Sequence, residues 1–477
     1  MNGPIAILLC TIGVAFLFYY DRDRSIRNSK ALWLPVLWIG LASSRGVSEW
    51  FSSGPAPTVQ DSLQGNPIDA AVFAFLLLIG LVVLFGRQRR AGAYLPVIVP
   101  ILIYSAYCLA SVAWAPYSLP AFKRWTKDVG DIVMVLIVMT DPQPINAIRR
   151  LYTRLGFILF PFSIVLIRYT LLGREWDNEG HITITGVTTN KNMLGLIVFV
   201  LSLGVVWNVR WLFVNRNDKK LKRRLIAEGI LLLFGLILLR LAGSSTSLAC
   251  FLLGSTLILL SHTRFVRKRP VRIHFFCLSM VVMGFVAFFL GGAGDVAGAL
   301  GRDTTLTGRT FMWAAMFPAV TNPLIGVGFD SFWTSPNADV FHHNLNLLHW
   351  YHSELINEAH NGYIEVYLNL GWIGVSLIAL LLITGYWHAY KAFRRDPELG
   401  SLFLALVMCG AVYGITEAGF RTLSPNWVFL LLAMVGSSGV NAGLLNNAQK
   451  RTRTQLAPEA AGTAVSTQTA RPAAFTV

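Results

Sequence analysis

EAHNGYIEVYLNLGWIGVSLIALLLITGYWHA, residues 358–389, changes character along its length. Its head carries Glu358, His360, Asn361 and Glu365, and from Tyr363 onward it becomes a mostly apolar run. Crossing a ~30 Å hydrocarbon core as a helix takes ~20 such residues, and a bilayer offers a bare backbone no other hydrogen-bonded form except a closed barrel. The run therefore reads as a span. The head reads as the point where that span leaves the membrane, with His360 or Asn361 placed to accept hydrogen bonds from the first free amides of the helix.

The same pattern recurs through the chain. Of 477 residues, 54% are hydrophobic and 13% charged, and the mean hydropathy is +0.56. Apolar runs fall at roughly 4–20, 31–44, 68–86, 94–114, 121–140, 155–172, 192–214, 225–242, 246–262, 273–291, 363–389, 400–418 and 425–444. The expected fold is all-α: a polytopic membrane bundle of 12–13 helices over residues 1–444, interrupted by a long loop, 292–362, that carries short helices. Residues 445–477, rich in Ala, Thr and Gln, hold too few large apolar side chains to pack and are expected to be a disordered tail. Cys10, Cys108, Cys250, Cys277 and Cys409 all fall inside spans, where they serve as small apolar residues and not as a disulfide framework. Run 4–20 has no basic segment before it and no small-residue cleavage pattern after it, so it reads as a span and not a signal peptide.

Charge orients the bundle. A net charge of +16 would suggest nucleic acid in a soluble domain. Here the basic residues concentrate in 21–30, 87–90, 141–154, 215–224, 263–272 and 391–399, which alternation of the spans puts on one side, so they orient the protein and no nucleic acid is implied. That side is cytoplasmic and loop 292–362 extracytoplasmic, as for a protein of the bacterial inner membrane. A transferase acting there meets no nucleotide sugars and requires a donor already activated, such as a lipid-linked one. Several basic residues nevertheless sit near the loop face: Lys123, Arg124, Lys127, Arg168, Arg174, Lys191, Arg240, Arg302, Arg309 and Arg421. Taken singly, each is explained by snorkelling to the interface. Taken together they suit an anionic ligand, pyrophosphate above all, because a guanidinium fork matches phosphate oxygens.

Within the loop face, 308–318 reads as a short amphipathic helix capped by Thr307, with Trp313 in the aromatic belt or at the site. Segment 323–333 reads as a glycine-rich turn. Histidines 342, 343, 349 and 352 invite a zinc reading, but no cysteine accompanies them and no metal is expected. Glu417 and Arg421, four apart, read as an i,i+4 ion pair. Asp131 and Glu228, in or near spans, read as structural partners of basic residues. His360 is the residue best suited to chemistry, since an imidazole of pKa ~6.5 takes up a proton near neutrality. The plainer reading makes it a helix cap, with Tyr363 and Tyr367 as interfacial anchors.

Ala359-His360-Asn361-Gly362-Tyr363-Ile364-Glu365 with Gly371, Gly308-Arg309-Thr310-Phe311-Met312-Trp313, Pro323-Leu324-Ile325-Gly326-Val327-Gly328 and Thr189-Asn190-Lys191-Asn192 together resemble the O-antigen ligase and polymerase superfamily, most of all its exopolysaccharide-polymerase branch. The resemblance implies an inverting, metal- and cofactor-independent glycosyl transfer from an undecaprenyl-pyrophosphate-linked glycan to a hydroxyl of an acceptor glycan or lipid A core, in a setting of membrane lipids and other polysaccharide-assembly proteins. It implies His360 as base and Arg309 as a ligand of the donor pyrophosphate. Members carry a basic residue in a Ser-basic-Thr segment where this chain has Ser244-Ser245-Thr246, and Arg240, one turn earlier, is the candidate replacement. Glu365 is expected to orient the imidazole or pair with an arginine; Arg168, Lys191, Asn361 and Trp313 complete the expected substrate contacts. The rival readings are a lipid-linked oligosaccharide flippase and a non-catalytic scaffold. A flippase calls for polar groups near the bilayer midplane and repeat symmetry, neither of which is evident in the sequence.

Overall fold

The computed structural model describes residues 3–22, 28–51, 65–176, 181–214, 221–290, 306–347 and 356–445. The expected tail beyond 445, His349, His352 and Arg302 lie outside them.

The described chain is a helical bundle. Its helices of ten or more residues are α1 (Gly3–Tyr20), α2 (Trp33–Ala42), α3 (Pro67–Phe85), α4 (Val99–Ser111), α5 (Ser118–Met139), α6 (Pro144–Tyr169), α7 (Lys191–Val214), α8 (Leu221–Ala242), α9 (Ser245–Ser261), α10 (Arg272–Leu290), α11 (Leu306–Met316), α12 (Pro336–Leu347), α13 (Gly362–Arg395), α14 (Pro397–Thr416) and α15 (Pro425–Asn441). Seven of these, α1, α3, α6, α7, α8, α13 and α14, are long and apolar enough to cross a membrane by themselves. The expected span 94–114 is a helix pair bent by 85°, and the runs at 31–44, 121–140, 246–262, 273–291 and 425–444 are also helical. Of these, α5 carries Lys123, Arg124, Lys127, Asp128 and Asp131, and both of its aspartates are buried. One element is outside the all-α expectation: a two-stranded antiparallel ribbon, β1 (Arg174–Trp176) with β2 (Ile182–Ile184), in the connection between α6 and α7.

The centre of the bundle is α13 against α14 and α15, and α7 against α8 and α9. Each carboxylate buried in it has at least one oxygen that accepts a hydrogen bond. Asp128 and Asp131 on α5 accept hydrogen bonds from the indoles of Trp427 (2.9 Å) and Trp38 (2.7 Å), and Asp131 also from the Leu423 amide (3.0 Å). The partners of Asp131 are thus N–H groups and not the basic residues expected for it. Glu228 likewise accepts from Thr153 (2.9 Å) and Asn208 (3.1 Å). A buried carboxylate without such donors would be strongly destabilising.

The loop face is fastened to the bundle at a break in α13. Gly371 has φ 60° and ψ −164°, which interrupts the helix and frees the backbone groups around it. The glycine-rich turn supplies their partners. Trp372 N–H donates to the Pro323 carbonyl (2.9 Å) and Ile373 N–H to Leu324 (3.2 Å), while Val327 and Gly328 N–H donate back to Leu368 (3.1 Å) and Asn369 (2.8 Å). Tyr107 Oη donates to the Leu370 carbonyl (3.0 Å). Asn369 extends the clamp, its Oδ1 accepting from the amides of Ser331 (2.7 Å) and Phe332 (3.0 Å). Broken helices persist at membrane depth only when other protein groups satisfy the freed backbone.

Only glycine fits the break. A Cβ on Gly371 would lie 2.3 Å from the carbonyl carbon and oxygen of Leu324, and the left-handed backbone costs a side chain about 1–2 kcal/mol on top. Gly371→Ala is therefore expected to lower the thermal midpoint of the detergent-solubilised protein by several degrees. Gly229→Ala, at a helical position where a Cβ meets nothing within 4 Å, serves as the control and leaves the midpoint unchanged or slightly raised.

Candidate active site

Asn361 caps α13. Its backbone is extended (φ −159°, ψ 116°), and its Oδ1 accepts from the amides of Tyr363 (2.9 Å) and Ile364 (3.1 Å) while its Nδ2 donates to the Ile415 carbonyl (2.9 Å). With Asn361 as cap, the His360 imidazole is left free for other work. His360 itself sits at φ +46°, in the left-handed region that an unbranched but bulky side chain enters at a cost of about 1–3 kcal/mol.

The residue before it is held from two sides. Trp313 on α11 donates its indole N–H to the Ala359 carbonyl (2.9 Å), and the Ala359 amide donates to Glu365 Oε2 (3.0 Å). Glu365 Oε1 accepts from the Trp333 indole (2.7 Å). Glu365 was expected to orient the imidazole or pair with an arginine; its charge interacts with that of Arg421, while both of its oxygens accept from N–H donors and no contact with the ring is described. It holds the backbone one residue upstream. Trp313 and Asn361, expected as substrate contacts, likewise spend their polar atoms on fixing the segment around His360.

The imidazole sits in a row of alternating charges. Nδ1 of His360 lies 3.0 Å from Glu358 Oε1 and 3.6 Å from Glu417 Oε2. On one side Glu417 Oε1 meets the Arg309 guanidinium at 3.8 Å; on the other, Glu358 Oε2 meets that of Arg421 at 3.7 Å. Arg309 is anchored through Nη1 to the Thr416 carbonyl (3.0 Å), the last residue of α14, where a cation offsets the negative end of the helix. The Thr416 hydroxyl donates to that of Thr246 at the start of α9 (3.0 Å), and Asn192 at the start of α7 donates to Glu417 Oε2 (3.3 Å). Four separate stretches of chain thus meet at Glu417, whose side chain is only 8% exposed.

Burial alone would disfavour the imidazolium, but the hydrogen-bonding and charge of Glu417 and the charge of Glu358 outweigh it and raise the His360 pKa above its usual value, with Arg309 opposing them. The ligand-free site therefore favours the protonated ring more than water does an exposed histidine.

The expected i,i+4 pair of Glu417 with Arg421 is not formed. α14 ends at Thr416, so residues 417–421 have no helical register, and the two side chains turn to His360 and Glu358 instead. Of the basic residues noted on the loop face, only Arg309 and Arg421 join this row among the described residues. Arg124 hydrogen-bonds the Asp330 carbonyl and Thr334 Oγ1 (3.1 Å), tying α5 to the loop, and Arg174 donates to the Ile167 carbonyl (2.9 Å). Arg168, Lys191 and Arg240 lie exposed at helix ends and make no described ion pair. At the segment where Arg240 was the candidate replacement charge, Ser244 caps α9 by accepting from the Ser247 amide (3.4 Å). Thr307, expected as a cap, lies inside the first turn of α11, which begins at Leu306.

Glu358, His360 and Glu417 each offer one ligand-type atom within 4.8 Å of the others, the geometry of a cation site. The two carboxylates are already matched by the two guanidiniums and the imidazole, so a dication would have to displace Arg309 or Arg421 to be balanced.

Glu358, Glu417 and Asn192 are the members that sequence reasoning did not assign to the site, whereas Arg421 was among the basic residues expected to suit an anionic ligand. Glu358 carried a signal in its spacing of two from His360. Glu417 carried one in being an acid at the loop-face end of a span, where topology requires none.

Comparison with known proteins bears on this geometry. Residues 230–379, which include Arg309, Glu358 and His360, match the family model described as O-Antigen ligase. Over 312 residues the chain is 25% identical to the exopolysaccharide production protein ExoQ of Rhizobium meliloti (strain 1021), covering 64% of this chain and 68% of that one. Both findings agree with the resemblance read from the motifs: the chain is similar to proteins of the O-antigen ligase and polymerase superfamily, on its exopolysaccharide side.

Proposed function

We propose that this protein is a membrane glycosyltransferase of surface-polysaccharide assembly, which moves a glycan from undecaprenyl pyrophosphate to a hydroxyl of an acceptor glycan on the extracytoplasmic face. The observation that carries this reading is the row Arg309–Glu417–His360–Glu358–Arg421 at the capped head of α13, with its first four members brought together from the loop, α13 and α14. The similarity to an exopolysaccharide production protein favours a growing polysaccharide as the acceptor over lipid A core.

The reaction is a single displacement. The acceptor oxygen attacks the anomeric carbon from the face opposite the leaving group, the bond from that carbon to the pyrophosphate oxygen breaks, and its electron pair leaves with undecaprenyl pyrophosphate. Configuration inverts. Pyrophosphate departs readily, so the remaining demands are a deprotonated nucleophile and a cation for the charge gathering on the phosphates. Arg309 meets the second. In the ligand-free protein its charge is matched by Glu417, and donor phosphates would compete for the same guanidinium. His360 meets the first. Carboxylates beside Nδ1 favour the tautomer protonated there, which leaves the Nε2 lone pair to accept the hydroxyl proton, while Glu358 and Glu417 stabilise the imidazolium that forms.

His360→Ala and Arg309→Ala proteins, checked for normal abundance in the membrane fraction, are expected to make at least about 100-fold less polymer than wild type, measured on secreted and surface polysaccharide. Normal polymer from the His360 variant would refute the base assignment.

The pH dependence follows from the same contacts. The base form of His360 is present only above its raised pKa, so transfer by the reconstituted enzyme should rise with pH through a midpoint above the usual histidine value. Glu358→Gln removes one source of that elevation and should move the midpoint to lower pH. An unmoved midpoint would mean that another group controls the limb.

A further inference from the structure

Arg421 closes one end of the charged row, and its backbone belongs to a tight turn. The Ser424 amide donates to the Arg421 carbonyl (3.1 Å), so residues 421–424 form a four-residue turn between the end of α14 and the start of α15. Its third residue is Leu423, at φ +63°. A positive φ in that place normally calls for Gly or Asn, because a larger side chain is crowded there by its own backbone. Leucine gains nothing local from this conformation, so something outside the turn has to hold it.

Asp131 supplies that hold. Its Oδ2 accepts from the Leu423 amide (3.0 Å) and its Oδ1 from the Trp38 indole (2.7 Å), and the residue is fully buried on α5. Trp38 lies so close over Gly130 that a Cβ there would come within 2.2 Å of its ring, which fixes the indole against α5. One helical turn before Asp131, Asp128 accepts from the indole of Trp427 (2.9 Å) in the first turn of α15. α5 therefore grips the chain on both sides of Ser424. At the other end of the turn, the Arg421 guanidinium pairs with Glu358 (3.7 Å) and faces Glu365 and Asp330 as well. Glu358 is the nearer of the two carboxylates at His360.

Accepting the glycosyl-transfer reading above, on which the role of the site rests, we propose that Asp131 is a positioning residue: its carboxylate keeps the 421–424 turn, and with it Arg421, where Glu358 is shared between a guanidinium and the imidazole. Asp131 touches neither His360 nor Glu358 and acts through Arg421. An asparagine in its place has one acceptor oxygen where Trp38 and Leu423 require two, so one N–H would face another N–H. The indole is locked over Gly130 and the turn is not, so the turn gives way.

The test reads the titration of His360 in full-length protein in lipid nanodiscs. Diethyl pyrocarbonate modifies only the unprotonated ring, and its rate at His360 is followed against pH by peptide mass spectrometry. The ring faces Glu358, Glu417 and Arg309, and Glu358 is the one of these that Arg421 pairs with. Arg421→Ala leaves the Glu358 charge undivided at the imidazole and should raise the midpoint by about half a pH unit, the size of one partly screened charge. Asp131→Asn should raise it likewise and add nothing in the Arg421→Ala background. Leu423→Gly placed on Asp131→Asn should bring the midpoint back to wild type, because glycine takes the left-handed backbone without a carboxylate to hold it. That double variant decides the matter if Asp131→Asn alone is not recovered from membranes. Trp38→Phe, which keeps the Leu423 contact, should lower the thermal midpoint and leave the titration in place. An unmoved titration in Asp131→Asn, shifts that add in the double variant with Arg421→Ala, an equal shift in Trp38→Phe, or a shift or loss of protein that persists with Leu423→Gly overturns the assignment. Failure of the underlying reading looks different: wild-type protein would then form no glycosidic bond, whereas the titration needs no turnover.

Discussion

One buried carboxylate holds the site together. Glu417 has to be matched by positive charge or donors because its surroundings admit almost no water, and it is matched three times: by Arg309 from the loop, by the His360 ring at the head of α13, and by Asn192 at the head of α7. A half-paired carboxylate in such a place costs several kcal/mol, so the three segments are drawn to it together. α14 stops at Thr416, and Glu417, extended just beyond it, reaches both of its cationic neighbours.

Around this point the protein is stiff where the proposed chemistry needs placement. His360 occupies a strained backbone conformation, and such conformations persist only where neighbours over-determine them. Here those neighbours are Trp313, which grips the carbonyl of Ala359, Glu365, which grips its amide, and Asn361, which begins the helix directly after. The glycine break at 371 repeats the principle on a larger scale, using helix backbone groups to bind the turn 323–328 and, through Asn369, the segment carrying Asp330 and Trp333. Loop and bundle thereby share one frame.

Much of the fold was legible in the sequence because hydropathy is local: a run of twenty apolar residues announces a span wherever it stands. Charge in the short connections then oriented the expected bundle. What could not be read was convergence. Glu358 and Glu417 are about sixty residues apart, and their meeting at one imidazole depends on how α13 packs on α14, which no local pattern encodes. Sequence spacing even suggested the wrong partner for Glu417, since four residues signify a neighbour only while the helix continues. Arg168, Lys191 and Arg240 stand exposed at helix ends, and in sequence nothing set them apart from Arg309, which joins the row. The ribbon at 174–184 escaped notice because three-residue strands carry almost no periodic signal.

The most direct test of the account is a structure of the protein with undecaprenyl pyrophosphate bound in a lipid nanodisc. The account predicts phosphate oxygens within about 2.7–3.2 Å of the Arg309 nitrogens and Glu417 moved off that guanidinium, with His360 still held at the head of α13. Phosphates lodged elsewhere, with the Arg309–Glu417 contact intact, would contradict it.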